Sequence, residues 1–483
     1  MFSLVLLFLI SRLSFLSRLP IFNDEGIYLR WGQDFIEYFG RGISPVSIDG
    51  KQAALPFFLG LIQLFPFDPL ILARVMSVTF SLITFITVRA IFQKLFPKSS
   101  LYPLSLLMIF CPYLLFFDRL MTGESIMTAV FSLSLLITLT ILENPKTRKA
   151  IFLGIVTGAG WWFKSTVILI IPAVFLVFFI QAINKRAKVL RLLWLNFIFL
   201  FSFLALILPL LLNPGYWRWP FEEGHRLVSF KEMIRFPLSL WLSNLRSATL
   251  LLFAHTTPAV FLLFIWGVIS GLQKRKIIIP LIFFAVPLLS EIIFFKGFDS
   301  RYLVIILPAY LLITAFGLET LPHRWFKASF AGIFAVSVFM SSVLIVSPLR
   351  YYSTYLSYFP PIRGDFSQYV VGWPSGYGVK ETVDWLKASA KEKTLVVFLR
   401  LNSGNPDDAL LVYLRKEKNI KVVPVRYLGS VIKQIKESKI PDVEFYYVSR
   451  GNQLSGLENR LTEKIRFKKP LDSEYVGIYL VKI

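Results

Sequence analysis

Residues 149–183 read KAIFLGIVTGAGWWFKSTVILIIPAVFLVFFIQAI. A helix crossing a bilayer needs about 20 predominantly apolar residues, so this stretch is too long for one crossing. Lys164, in Trp161-Trp162-Phe163-Lys164-Ser165, marks the break, dividing the stretch into 149–163 and 165–183. The same reading carried outward finds apolar runs at 1–19, 69–93, 100–117, 121–142, 190–212, 249–271, 277–295, 301–319 and 326–347. Together these predict a polytopic α-helical membrane protein with about eleven spans. Residues 53–66 (AALPFFLGLIQLFP) are apolar but short and bounded by proline, which predicts a re-entrant or interfacial helix.

Composition agrees. Apolar residues make up 55% of the 483 and charged residues 17%, whereas soluble domains carry about a quarter charged residues. The 48 phenylalanines exclude a disordered chain. The single cysteine, Cys111, excludes an intrachain disulfide and a Cys-rich metal site. The net charge of +23 would suggest nucleic acid in a soluble protein. Here much of it falls in short loops between spans, where it faces anionic lipid, so no nucleic-acid partner is expected.

Those loops give the orientation. Lys94/Lys98, Lys146/Arg148/Lys149, Lys185/Arg186/Lys188/Arg191, Lys274/Arg275/Lys276 and Arg324/Lys327 lie on one face of an eleven-span chain. Short loops rich in Lys and Arg stay cytoplasmic. The expected arrangement has the N-terminus inside and the C-terminal tail outside. The first run carries Arg12 and has no small-residue cleavage site before Pro20, so it is expected to remain as a span.

The expected division is a transmembrane module, 1–347, with outer loops 20–68 and 213–248, followed by a small extracytoplasmic α/β domain, 348–483. In the first loop, Gly26–Phe39 is amphipathic and suits a membrane surface. In the tail, strand-like TLVVFL (394–399), KVVPV (421–425) and EFYYVS (444–449) alternate with helix-like DDALLVYLRKEK (407–418) and SVIKQIKES (430–438). No phosphate-binding glycine loop or catalytic triad pattern occurs there, which suits a supporting or acceptor-binding role.

Ionisable groups inside a membrane are costly and usually functional. On the expected topology nearly all of Arg12, Arg74, Asp118, Arg119, Glu124, Lys164, His255, Glu291, Asp299 and Arg301 fall in the outer third. A transporter would place polar groups near the midplane, often in repeated broken helices. A one-sided site at the outer boundary fits this distribution better; the bland alternative is a set of snorkelling or structural pairs. Asp24-Glu25 follows the first span directly, where an anchored carboxylate could act as a general base.

The chain resembles the GT-C glycosyltransferases, the group containing protein O-mannosyltransferases and the lipid A aminoarabinose transferase. The resemblance rests on Asp24-Glu25 in the first outer loop and on Gly50-Lys51-Gln52-Ala53-Ala54-Leu55-Pro56. It continues with Ala73-Arg74-Val75-Met76-Ser77, then Phe117-Asp118-Arg119-Leu120-Met121-Thr122-Gly123-Glu124. The hairpin Gly158 to Thr166 and Arg301-Tyr302-Leu303 complete the order. Gln52-Ala53 departs from the family pattern, where a double proline starts. The match covers about 1–347, and residues 368–378 (QYVVGWPSGYG) resemble members with an outer C-terminal domain.

The resemblance implies an inverting transfer of a sugar from a polyprenyl-phosphate donor to an acceptor hydroxyl on a glycan, lipid or protein, at the outer face of a cell membrane. On that reading Asp24 takes the acceptor proton, and Glu25 or Asp118 orients it or makes a second contact. Lys51, Arg74, Lys164 and Arg301 would neutralise the departing phosphate. A divalent metal at Asp24/Glu25 or Asp118 is an open option, the alternative being that cationic side chains take its place. His225, His255 and His323 lack zinc-ligand spacing. The competing readings are a lipid-linked sugar flippase and a nonenzymatic membrane scaffold.

Overall fold

The computed structural model describes the chain except residues 1, 39–50, 185–188, 219–225, 275–276, 355–358, 401–403, 426–428, 430–442, 452, 455–457 and 483. The cationic turns at 185–188 and 275–276, His225, Gly50 and the expected helix 430–438 lie outside the described residues. The chain forms two compact units. One comprises Met1–Leu16, Tyr38–Phe57 and Ala73–Val346; the other comprises Ser17–Glu37, Phe58–Leu72 and Ser347–Ile483.

The first unit is helical. Among the described residues, six helices are long and apolar enough to cross a membrane, or up to eight if each of two bent pairs counts as one span. The six are Pro69–Leu95, Glu124–Glu143, Ser165–Ile183, Val189–Leu211, Ser300–Glu319 and Trp325–Val346. Phe2–Leu13 and Ile278–Phe294 are apolar but shorter. The helix Thr147–Phe163 ends at Lys164, as the sequence predicts, and packs along Val189–Leu211.

Two of the expected straight spans are broken, each at a proline. The run 100–117 divides into Leu101–Phe110 and Pro112–Asp118, bent by 61°. The expected span 249–271 is corrected more strongly. A helix starts at Leu238 and ends at His255, and a second starts at Pro258 after a bend of 116°. Pro258 has no N–H to donate, and its ring keeps the residue before it out of the α region. Thr257 sits at φ 79, in the left-handed region. The expected outer loop 213–248 thus already contains part of this bent pair.

The end of the first helix has unusual partners. Beyond Leu13 the chain turns, with Phe15 at φ 54, and its carbonyls lack helical donors. Arg119 Nη2 donates to Ser14 O (2.6 Å) and Phe15 O (2.9 Å), and Arg74 Nη1 donates to Leu16 O. Two guanidinium groups thereby take the place of a C-terminal cap.

The second unit is built on a five-stranded sheet of β1 (Thr394–Arg400), β2 (Ile420–Val425), β3 (Val443–Arg450), β4 (Leu461–Lys468) and β5 (Tyr475–Val481). Its order is β2-β1-β3-β5-β4. β1 pairs in parallel with β2 and β3, while β5 is antiparallel to β3 and β4. Central β1 is apolar on both faces and its residues Leu395 to Leu399 are buried, as expected of a strand covered on both sides. One face packs Val396, Phe398, Phe445, Tyr447 and Tyr479 together. Edge strand β4 carries Glu463, Lys464, Arg466 and Lys468, charges that discourage further strand pairing.

Lys469, just past β4, is 3% exposed. Its Nζ donates to Gly372 O (2.9 Å), Trp373 O (3.2 Å), Ser375 O (2.8 Å) and Ser375 Oγ (3.3 Å). Burial pulls the ammonium down to about 8, so at neutral pH it keeps its proton and its three donors. Hydrogen bonds made by a charged group contribute about 1.5–3 kcal/mol. Lys469→Met should lower the unfolding free energy of the purified protein by an amount in that range, read as a lowered unfolding midpoint. An unchanged midpoint would mean that 372–375 holds its shape without the ammonium.

Candidate active site

The adjacent carboxylates Asp24 and Glu25 belong to the second unit, in the first turn of the helix Asn23–Glu37. They are not equivalent. Glu25 is fully buried, and its Oε2 accepts from the backbone N–H of Phe22 at 2.9 Å. It therefore satisfies a donor at the helix start, the return half of a capping box. Asp24 is half-buried, with Oδ1 accepting from Asn23 Nδ2 at 3.2 Å. Of the pair, Asp24 has the more accessible carboxylate. The rest of this amphipathic helix packs on Asp407–Leu414. Arg30 pairs with Asp408 (2.6 Å), Arg415 pairs with Asp34 (2.7 Å), and Gln33 Nε2 donates to Val412 O (3.1 Å).

In the first unit, Asp118 is 1% exposed and forms a 3.1 Å ion pair with Arg12, itself fully buried. This carboxylate anchors the first helix. Glu124 begins the helix Glu124–Glu143, after Gly123 at φ 90, and forms an ion pair with Lys164. Lys164 Nζ also donates to Thr122 O at 3.4 Å. A Cβ placed on Gly123 would lie 3.5 Å from Lys164 Cδ and 3.7 Å from Leu55 Cδ2. Gln52 hydrogen-bonds Tyr216, whose hydroxyl also accepts from Trp161 Nε1 at 3.1 Å. The structure therefore brings the chain just after Lys51 to the Trp161–Lys164 hairpin and to Glu124.

The remaining cations differ in access. Arg74 is 1% exposed and held on Leu16 O. Lys51 is half-buried. Arg301 lies in the 3-10 helix Ser300–Ile306, 3.9 Å from Asp299 and 5.4 Å from the Tyr302 ring centre, and this helix packs on Glu124–Glu143. His255 is 2% exposed and stacks on Tyr113 at 4.6 Å, while Tyr113 donates to Ser300 O at 2.5 Å.

Two features of this region were not assigned from sequence. Arg12 was visible as an isolated charge, but its partner lies 106 positions away. Glu291 is 1% exposed, and its Oε2 has no hydrogen-bond partner among the described residues. Among the described residues, no group of three or more His, Cys, Asp or Glu side chains is placed to hold a metal ion.

The family model described as dolichyl-phosphate-mannose-protein mannosyltransferase matches residues 55–212. The structure is similar to ArnT from Cupriavidus metallidurans solved with undecaprenyl phosphate. The TM-score is 0.63 and the identity 14%, over 99% of this chain and 96% of that one. The apo state of the same protein gives 0.62 and 14%, over 98% and 96%. Arabinofuranosyltransferase AftD from Mycobacteria gives 0.43 and 14%, over 100% of this chain and 41% of that one. No curated protein matches the sequence. The chain thus shares its fold, multiple apolar helices with a small C-terminal sheet, with the ArnT structures over nearly its whole length, and residues 55–212 match the mannosyltransferase family model.

Proposed function

We propose that the protein transfers a sugar from a polyprenyl-phosphate carrier to an acceptor hydroxyl at the outer face of a cell membrane, with inversion at the anomeric carbon. The observation that carries this reading is the chain-long likeness to a transferase solved with undecaprenyl phosphate. The family match over 55–212 supports it. The Lys/Arg-rich short loops expected on one face of the chain support a cytoplasmic N-terminus and an outer C-terminal sheet.

In the proposed reaction the acceptor oxygen bonds to the anomeric carbon as the bond from that carbon to the phosphate oxygen breaks. The hydroxyl proton passes to Asp24. The lipid phosphate leaves with the bonding electron pair, and prepositioned cations stabilise it. Lys51, Lys164 and Arg301 keep partial access for this role. Arg74 and Asp118 hold the framework around the first helix instead. Glu25 fixes the turn on which Asp24 stands.

The direct test is transfer by the purified protein from a panel of polyprenyl-phosphate sugars, with product mass as the readout. A glycosylated product from one of these donors is the expected result; no transfer from any donor to any acceptor class would overturn the reading. Lys164→Met should lower the transfer rate about 100-fold or more, the loss that follows removal of one such donor. A variant with full turnover would remove Lys164 from the phosphate's surroundings.

A further inference from the structure

We propose that the C-terminal part of the second unit is a positioning device for Asp24: loops 372–375 and 404–408 clamp the strap Ile21–Asn23 and fix the first turn that follows it. The proposal rests on Asp24 being the base. Lys469, Asn405, Gly376 and Gly404 are positioning residues, since none of them carries the reacting carboxylate.

The clamp is continuous from the sheet to the strap. Asp407, at the end of the 404–408 loop nearest β1, accepts from Arg400 N at 2.7 Å. Asp408 accepts from Gly404 N at 2.8 Å and also holds Arg30 of the Asp24 helix at 2.6 Å. Asn405, 1% exposed, bonds the strap twice. Its backbone N–H donates to Asn23 Oδ1 (2.8 Å), and its Nδ2 donates to Ile21 O (2.9 Å). The same Nδ2 donates to Pro374 O (3.0 Å), which also accepts from Asn23 N (3.0 Å). The second loop is held open to receive these bonds by the Lys469 ammonium on its carbonyls. Strap and loops are in close contact, with backbone at Ile21 and with a side chain at Asn23. A Cβ on Gly376 would stand 2.0 Å from Ile21 O, and one on Gly404, at φ 76, would stand 2.0 Å from Asn23 Oδ1. Phe22 closes the strap against Tyr369 at 4.7 Å.

A carboxylate that accepts a proton in the transition state must be held at hydrogen-bond reach, and misplacement by about 1 Å costs about 100-fold. The strap ends one residue before Asp24, so displacing it moves the base while leaving the donor's cationic contacts intact. That predicts a loss in kcat and not in donor KM.

The experiment uses the full-length protein with Gly376→Ala and Lys469→Met, Gly364→Ala as control, and Asp24→Asn in parallel. Gly364 has nothing within 4 Å of its added Cβ. Gly376→Ala should lower kcat about 10- to 100-fold with donor KM within about twofold. Lys469→Met should do the same in lesser degree, and Gly364→Ala should match the wild type. Hydrogen exchange reads the clamp apart from activity: in both clamp variants the amides of Asn23 to Gly26 should exchange at least about tenfold faster, with β1 unchanged. Wild-type kcat in folded Gly376→Ala and Lys469→Met, while Asp24→Asn is inactive, overturns the positioning proposal alone. Unchanged exchange at Asn23 to Gly26 overturns the clamp itself. Full activity in Asp24→Asn overturns the assignment of the base, which is a separate failure. Should Gly376→Ala yield no folded protein, Lys469→Met, which adds no atom beside the strap, decides.

Discussion

Asp24→Asn should lower kcat for sugar transfer by about 10²–10⁴-fold, the usual contribution of a positioned general base, without lowering the unfolding midpoint. Asparagine has the shape of aspartate and can accept the same bond from Asn23 Nδ2, so the first turn of Asn23–Glu37 survives. What it lacks is an oxygen basic enough to take the acceptor's proton. The neighbouring carboxylate predicts the opposite pattern. Glu25→Ala leaves the Phe22 N–H unanswered in a buried position and should cost about 1–2 kcal/mol of stability. Its rate loss should be the smaller one, arising through the turn. The pair of measurements, kcat and unfolding midpoint on both variants, separates a chemical carboxylate from a structural one although the two are adjacent. If Asp24→Asn turns over at the wild-type rate, the proton acceptor is another group and the proposed mechanism fails.

Much of the membrane architecture was legible because hydrocarbon imposes one rule on every span, and Lys164 marked its helix end because a charge is costly at depth. The bend at Thr256-Thr257-Pro258 was hidden inside an apolar run whose hydropathy is continuous; only the proline hinted at it. In the tail, the three parallel strands stood out as apolar runs. β4 alternates but carries four charges, and nothing local marks it as a strand; its pairing with β5 does. Of the site, the Asp-Glu pair was visible by adjacency. Which member was available was not: Glu25 caps Phe22, and phenylalanine lacks the side-chain oxygen that makes a capping box recognisable. The association of 17–37 with 404–415 spans nearly four hundred residues, and no local periodicity encodes such a contact.

Arg12→Met should destabilise the protein by about 3–5 kcal/mol, the cost of leaving one partner of a buried ion pair without the other. The reason begins with Pro112. In a continuous helix Met108 O would accept from the N–H four residues on, but that residue is proline and the helix bends by 61° there. Arg12, from the first helix, supplies the missing donor: Nη2 bonds Met108 O at 2.8 Å and Nη1 bonds Ile109 O. The same guanidinium meets Asp118 at 3.1 Å and Ser11 Oγ at 2.8 Å and lies 4.2 Å from the Phe8 ring centre. One side chain therefore closes a proline break, pairs a buried carboxylate and ties Phe2–Leu13 to both halves of the bent helix. Methionine fills much of the volume but answers none of the oxygens. The unpaired charge of Asp118 should account for much of the loss, so Arg12→Met with Asp118→Asn should recover about 1–3 kcal/mol relative to Arg12→Met alone. The two carbonyls still lack donors, so recovery should be incomplete. Thermal unfolding of the three forms in one detergent measures both quantities. A wild-type midpoint for Arg12→Met would show that the bend is held without the guanidinium. A double variant no more stable than the single one would assign the cost to the carbonyls instead of the carboxylate.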